Sequence, residues 1–268
     1  MSSGVNPPLS FFTMYELALD LPVKYIDYQV GDITFALAPL CNDRPKQIDY
    51  TNKLIALKKQ GRKILMDNGA YELGKSVPIE EYMETIIKVQ PDFAVLPDVM
   101  KDGFRTAKLV HEFCELMDEQ KYKDIVDVEW IVTPQGSDME ELTKCYNNIC
   151  EDSIMDGILG LPKHIGEWAN RVDVLLQLYA ESDYTFHNVH LLGFNPGEFG
   201  IIDRVKKATT DFQIVSIDTK WPIKNMIKQE FKQPIDYYFY DGLLDGMEMR
   251  YRAKGFKLAL EGKVGLTE

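Results

Sequence analysis

Cysteine and histidine are scarce in this 268-residue chain, with four of each. Cys41, Cys114, Cys145 and Cys150 form no C-x-x-C pair and have no histidine at zinc-ligand spacing. That excludes a zinc-finger module and a stapled secreted scaffold, and leaves reduced thiols in the core or at the surface. No run approaches the roughly 18 apolar residues of a membrane span, and Met1–Ser10 lacks a basic segment followed by an apolar one. A cytoplasmic protein is the expectation. Pro/Gly/Ser linkers and low-complexity tracts are missing too. Positive charge is also short, 30 Lys and Arg against 42 Asp and Glu for a net charge of −12. This disfavours an unspecific nucleic-acid coat, which needs a basic surface to neutralise phosphates. Any nucleic-acid substrate would need a local basic patch. Residues 219–268 carry nine Lys and Arg against seven Asp and Glu, whereas the first 218 carry 21 against 35.

What is present is the balance of a globular protein, 45% hydrophobic and 27% charged, which excludes disorder and fibrous folds. Short apolar or β-branched runs recur at even spacing: Ile33–Leu37, Lys63–Met66, Phe93–Leu96, Val128–Val132, Gly157–Leu159, Val189–Leu192, Gln213–Ile217 and, more weakly, Ile235–Tyr240. Each reads as a buried strand. Between them lie segments of helical periodicity, Asp49–Gln60, Ile79–Val89, Thr106–Glu119, Met139–Cys150, Ile165–Ala180 and Glu198–Ala208. The alternation predicts an α/β fold, a (β/α)8 TIM barrel forming one domain over 1–268, with residues 1–30 as an N-terminal cap and 219–268 as a basic C-terminal region.

A barrel of this kind places its chemistry at the carboxyl ends of its strands. Those positions read Asp67-Asn68-Gly69-Ala70-Tyr71, Pro97-Asp98, Thr133-Pro134-Gln135-Gly136, Gly160-Leu161-Pro162, Leu192-Gly193-Phe194-Asn195-Pro196 and Asp218-Thr219-Lys220-Trp221-Pro222. An Asp after a strand is also a common turn former or helix cap, Asn195-Pro196 reads as a cap with a first-turn proline, and Gly69, Gly160 and Gly193 could serve tight turns. Three carboxylates that each follow an apolar strand directly, however, would converge on one mouth. Paired carboxylates suit glycosidic chemistry, one attacking the anomeric carbon and another handling protons. Gln135 and Asp98 could read the edge of a heterocycle, and Tyr71 could stack on its face. The histidines His111, His164, His187 and His190 read as structural or surface residues.

In order, these segments resemble the tRNA-guanine transglycosylase superfamily from about Ile64 to Pro222. That family has an Asp-Ser-Gly-Gly-aromatic motif, to which Asp67-Asn68-Gly69-Ala70-Tyr71 is similar, and a later Asp followed four residues on by Pro, like Asp218 and Pro222. Its Gln-Gly and Gly-Leu segments resemble Gln135-Gly136 and Gly160-Leu161, and its base-recognising Asp resembles Asp98. The resemblance implies that Asp218 attacks C1′, displaces guanine and holds a covalent glycosyl intermediate, and that Asp67 takes the proton from N9 of the incoming base. Asp98, Gln135, Gly136, Gly160 and Leu161 would then bind the base, with Tyr71 and Leu192 enclosing its faces. The free base is a co-substrate, and no cofactor is implied.

The tRNA enzymes carry a zinc subdomain of three Cys and a His after the nucleophile, and this chain has neither residue beyond Asp218. No zinc is expected, and the compact form is most similar to the enzymes that insert 7-deazaguanine bases into DNA, known among bacterial viruses. DNA is the expected partner and tRNA the alternative; a non-catalytic nucleic-acid-presenting subunit and a retaining glycosidase for a small nucleoside are other readings. Lys220, Lys224, Lys228 and Lys232 recur every four residues, and Arg250, Arg252, Lys254 and Lys257 form a second basic cluster. They are either a solvated helix face or, for Lys220, Lys224, Arg250 and Arg252 above all, contacts to the nucleic-acid backbone beside an extruded nucleotide.

Overall fold

The computed structural model describes residues 16–28, 30–41, 45–122, 125, 127–151, 157–182, 186–208, 212–227, 237–238, 240 and 242–260. Eight strands pair in chain order and all in parallel: β1 (Glu16–Leu19), β2 (Ile33–Leu37), β3 (Lys63–Asp67), β4 (Phe93–Val95), β5 (Glu129–Val132), β6 (Ile158–Leu161), β7 (Asn188–Leu191) and β8 (Gln213–Thr219). The last pairs with the first, from Glu16 opposite Ser216 to Leu19 opposite Thr219, so the sheet closes into a barrel. Around it run α1 (Pro45–Lys59), α2 (Ala70–Leu73), α3 (Ile79–Val89), α4 (Gly103–Met117), α5 (Met139–Cys150), α6 (Arg171–Glu181), α7 (Phe199–Ala208), α8 (Trp221–Lys224) and α9 (Gly246–Leu260). The chain is a (β/α)8 barrel, as its alternation predicts.

Seven strands coincide with the runs read from the sequence; the eighth does not. It is β1, inside the stretch expected to cap the barrel, while Tyr237 and Tyr238 of the expected strand Ile235–Tyr240 form a short 3-10 turn. Residues 1–15 and 29 of the expected cap, and 235, 236 and 239 of the expected strand, lie outside the described residues. The reason is physical: β1 is only Glu-Leu-Ala-Leu, too short to stand out, and closure against β8 rather than an apolar run makes it a strand. The aromatic run instead packs on the end of β1, where the Tyr237 and Tyr238 hydroxyls donate to the Asp20 carbonyl at 2.8 Å and to Asp20 Oδ2 at 2.9 Å.

The strands read as continuous apolar runs because both faces are covered, as in β2, whose five residues are all buried. Helices bury one stripe, such as Ile79, Tyr82, Met83, Ile86 and Val89 of α3. Asp102, Asp138 and Asn170 cap α4, α5 and α6 by accepting from the backbone N–H of Arg105, Glu141 and Val172, each at 2.9 Å. The two short helices α2 and α8 follow β3 and β8 and stand at the mouth. Gly69 opens α2 with φ +83°, and a side chain there would run into the Pro39 ring. Among the described residues, no helix is long and apolar enough to cross a membrane.

Candidate active site

The strand ends enclose a cavity of about 250 Å³ that Asp67, Asp98, Gln135 and Asp218 all line. Asp67 and Asp218, from β3 and β8, therefore face one space. Tyr71, Leu192, Lys220 and Lys224 border it as well. Tyr71 stands at the rim, 56% exposed, rather than as a buried wall. Gly136, Gly160, Leu161, Arg250 and Arg252 do not line the cavity. A Cβ at Gly136 would lie 2.5 Å from the Leu142 nitrogen, so this glycine lets α5 pack closely. Gly160 is a strand residue rather than a turn; a Cβ there would lie 2.6 Å from Thr133 Oγ1 and 2.9 Å from Leu192 Cδ1, two side chains that do line the cavity. Leu161 is buried, and its carbonyl accepts from Arg171 Nη1 at 2.8 Å.

Asp98 follows β4, and both of its oxygens accept from carboxamides. Asn68 Nδ2 donates to Oδ1 at 2.6 Å, and Gln135 Nε2 donates to Oδ2. Gln135 Oε1 in turn accepts from the Lys101 N–H at 3.1 Å. Burial outweighs the two amide hydrogen bonds and pushes the Asp98 carboxyl up to about 7. Asp67 accepts from the Gly69 N–H at 2.7 Å. Its burial, with the Glu72 carboxylate next in weight, holds it well above the usual carboxylate range.

Asp218 is held differently. The Gly193 N–H lies 3.0 Å from both of its oxygens, and His190 Nε2 lies 3.0 Å from Oδ1. Gly193 aims that N–H from φ +61°, a left-handed conformation open to glycine. The loop behind it is fastened by a capping box, Asn195 with Glu198, and by Arg171, which is buried. Arg171 donates to the Leu192 carbonyl at 2.8 Å and to Glu198 Oε1 at 2.6 Å. Asn195-Pro196 is thus a cap, and it also braces the loop that holds Asp218.

Five residues at the site escape the sequence reading: His190, Asn68, Asp20, Glu72 and Tyr238. His190 reads from sequence as structural or surface, yet it is fully buried against Asp218. The available signal was its place between Val189 and Leu191 in an otherwise apolar strand. Asp20 follows β1 and shares Tyr238 with Glu72, whose Oε1 lies 3.4 Å from the same hydroxyl. Burial pushes Asp20 up to about 7 against the pull of Lys220, and its Oδ1 is buried with no hydrogen-bond partner.

The basic residues divide. Lys220 Nζ is 3.9 Å from Asp20 Oδ2 and 5.4 Å from the Tyr71 and Tyr237 ring centres, so it is drawn into the mouth. Lys224 is exposed at the rim. On α9, Arg252 pairs with Glu248 at 2.7 Å and Lys257 with Asp32 at 2.6 Å, while Arg250 lies 3.5 Å from the Tyr28 carbonyl. Lys228 and Lys232 lie outside the described residues. Among the described residues, no group of three or more His, Cys, Asp or Glu is placed to hold a metal ion.

Fold and site together define a (β/α)8 barrel with an acidic pocket at the carboxyl ends of its strands. No family model matches the chain, and no curated protein does.

Proposed function

We propose that this chain is a base-exchange glycosyltransferase that removes guanine from DNA and installs a 7-deazaguanine base, such as 7-cyano-7-deazaguanine, in its place. The observation that carries the reading is that Asp67 and Asp218, from different strands, line the same cavity as the Asp98–Gln135 pair. An Asp218 oxygen attacks C1′, the C1′–N9 bond breaks with its electron pair on N9, and Asp67, whose burial favours the protonated form, gives the departing guanine its proton. Asp67 then takes the N9 proton of the incoming base, N9 attacks C1′, and the Asp218 ester breaks. Two displacements retain the configuration at C1′. Asp98 and Gln135 offer an acceptor and an amide to the base edge. A cavity of about 250 Å³ suits one extruded nucleotide, since C1′ and the base cannot both be reached inside a stacked duplex. The resemblance favours DNA because the chain beyond Asp218 has no Cys or His.

The test is release of labelled guanine from DNA on addition of 7-cyano-7-deazaguanine, with the adduct trapped by denaturation. Asp218→Asn should abolish both release and adduct. Unchanged release in that variant, or none from either nucleic acid with wild-type protein, would sink the reading; the second result would leave a presenting subunit.

One observation favours the RNA alternative. Asp20 Oδ1 is a buried acceptor without a partner at the mouth. An internal ribose offers a 2′-hydroxyl donor where an internal deoxyribose has none. Guanine release from tRNA and not from DNA would decide for it.

A further inference from the structure

We propose that His190, locked by Ser216, is a positioning residue that orients Asp218 and selects Oδ2 as the oxygen that attacks. This rests on the exchange reading and deepens it. Gly193 N–H is equidistant from the two Asp218 oxygens, at 3.0 Å, and so does not distinguish them. His190 Nε2 breaks the symmetry by lying 3.0 Å from Oδ1. On its other side, His190 Nδ1 is 2.8 Å from Ser216 Oγ. A serine hydroxyl can donate to Nδ1, which leaves the ring proton on Nε2, directed at Asp218. Oδ1 is thereby committed to two donors, and Oδ2 keeps the more available lone pairs.

The backbone is built for this contact. Ser216 and Asp218 are two residues apart on β8 and so share a face. The β7–β8 register slips between Val189 and His190: Val189 pairs with Ile214, but His190 pairs with Ser216. Without that irregularity His190 would sit opposite Val215. An extra residue that re-aims a side chain beside an active site is a recurrent use of a β-bulge. His190 is fully buried and Ser216 nearly so. Solvent therefore competes little for either bond.

The test uses full-length protein and three variants, His190→Phe, His190→Gln and Ser216→Ala. Gln retains a donor near the Nε2 position, whereas Phe retains only bulk. Single-turnover adduct formation should fall at least about tenfold in His190→Phe, with KM for the free base unchanged because Asp98 and Gln135 are untouched. His190→Gln should recover most of the rate, and Ser216→Ala should fall between. Equal rates for Gln and Phe, or KM rising in step with the loss of rate, would overturn the assignment. A second measurement is independent of turnover: long-range 1H–15N spectra of the imidazole should show the Nε2–H tautomer in wild type. An Nδ1–H tautomer in wild type would overturn the proposal even if exchange is observed. If wild type exchanges no base, the reading of function fails, and the spectra still decide how His190 is held.

Discussion

Burial raises two acids of the mouth alike and thereby makes the stability of the fold depend on pH. Asp20 and Asp98 are each pushed up to about 7, Asp20 by burial first and then by Glu72 against the pull of Lys220. A carboxyl raised in the folded state binds its proton more tightly there than in the unfolded chain. Its favourable contribution is complete below the unfolded value of 3.8 and is lost as pH rises through about 7. Wild-type protein should therefore unfold more easily at pH 8 than at pH 5. Asp20→Asn should be more stable than wild type at pH 8, by about 4 kcal/mol for a rise from 3.8 to about 7 at roughly 1.4 kcal/mol per pKa unit, and the gap should close by pH 4. Asn is the apt probe because its amide can occupy the place of the unpartnered Oδ1 while its oxygen still accepts from Tyr238. Denaturant titrations at the three pH values check it, and a gap independent of pH would show that Asp20 is ionised at neutrality.

At the level of elements, the loop after β7 lines the cavity through Leu192, Gly193, Phe194 and Asn195, and β6 packs behind the lining residues Thr133 and Leu192. Gly160→Ala in β6 would press on Thr133 and Leu192, both of which line the cavity. Its expected effect is a several-fold higher KM for the free base with little change in adduct formation, read by steady-state and single-turnover kinetics. The loop after β7 depends on the buried pair of Arg171 with Glu198. Removing one partner of such a pair strands the other, so Glu198→Ala should cost about 3–5 kcal/mol in chemical denaturation. It should also slow adduct formation, because Gly193 loses its brace. The elements also show what a sequence can and cannot reveal. Buried parallel strands are apolar runs, so β2 through β8 are legible, and a barrel displays its polar ends, so Asp67, Asp98, Gln135 and Asp218 are legible too. His190 is not, because a bulge sets its register. Asp20 and Tyr238 are hidden because they belong to the two segments whose roles the apolar pattern reverses.

Over the whole molecule, charge is distributed against tight nucleic-acid binding. Most of the surface belongs to an acidic body, and on α9 Arg252 and Lys257 are already paired with Glu248 and Asp32. Of the cations that line the mouth, Lys163 and Lys224 are exposed, while Lys220 leans on Asp20 and the Tyr rings. Binding to DNA should therefore be weak, with log K falling against log salt at a slope of only about −1 to −2, since each phosphate contact contributes about −0.9. Lys224→Ala should reduce that slope by about one without changing KM for the free base. A steep slope in fluorescence anisotropy titrations would point to a second basic surface.

The barrel closes by joining its first strand to its last, Glu16 against Ser216, and Asp20 is then gripped by Tyr237 and Tyr238 from more than two hundred residues away. On the ribosome, a chain released only as far as β7 holds two open parallel edges, each a template for unwanted pairing. Its acidic pocket cannot exist yet, because Asp218 and the strand that carries it have still to emerge. Contacts of such sequence separation make folding slow. The chain's most vulnerable interval, and the one in which a chaperone would have most to protect, is therefore the time between the emergence of β7 and that of Tyr238.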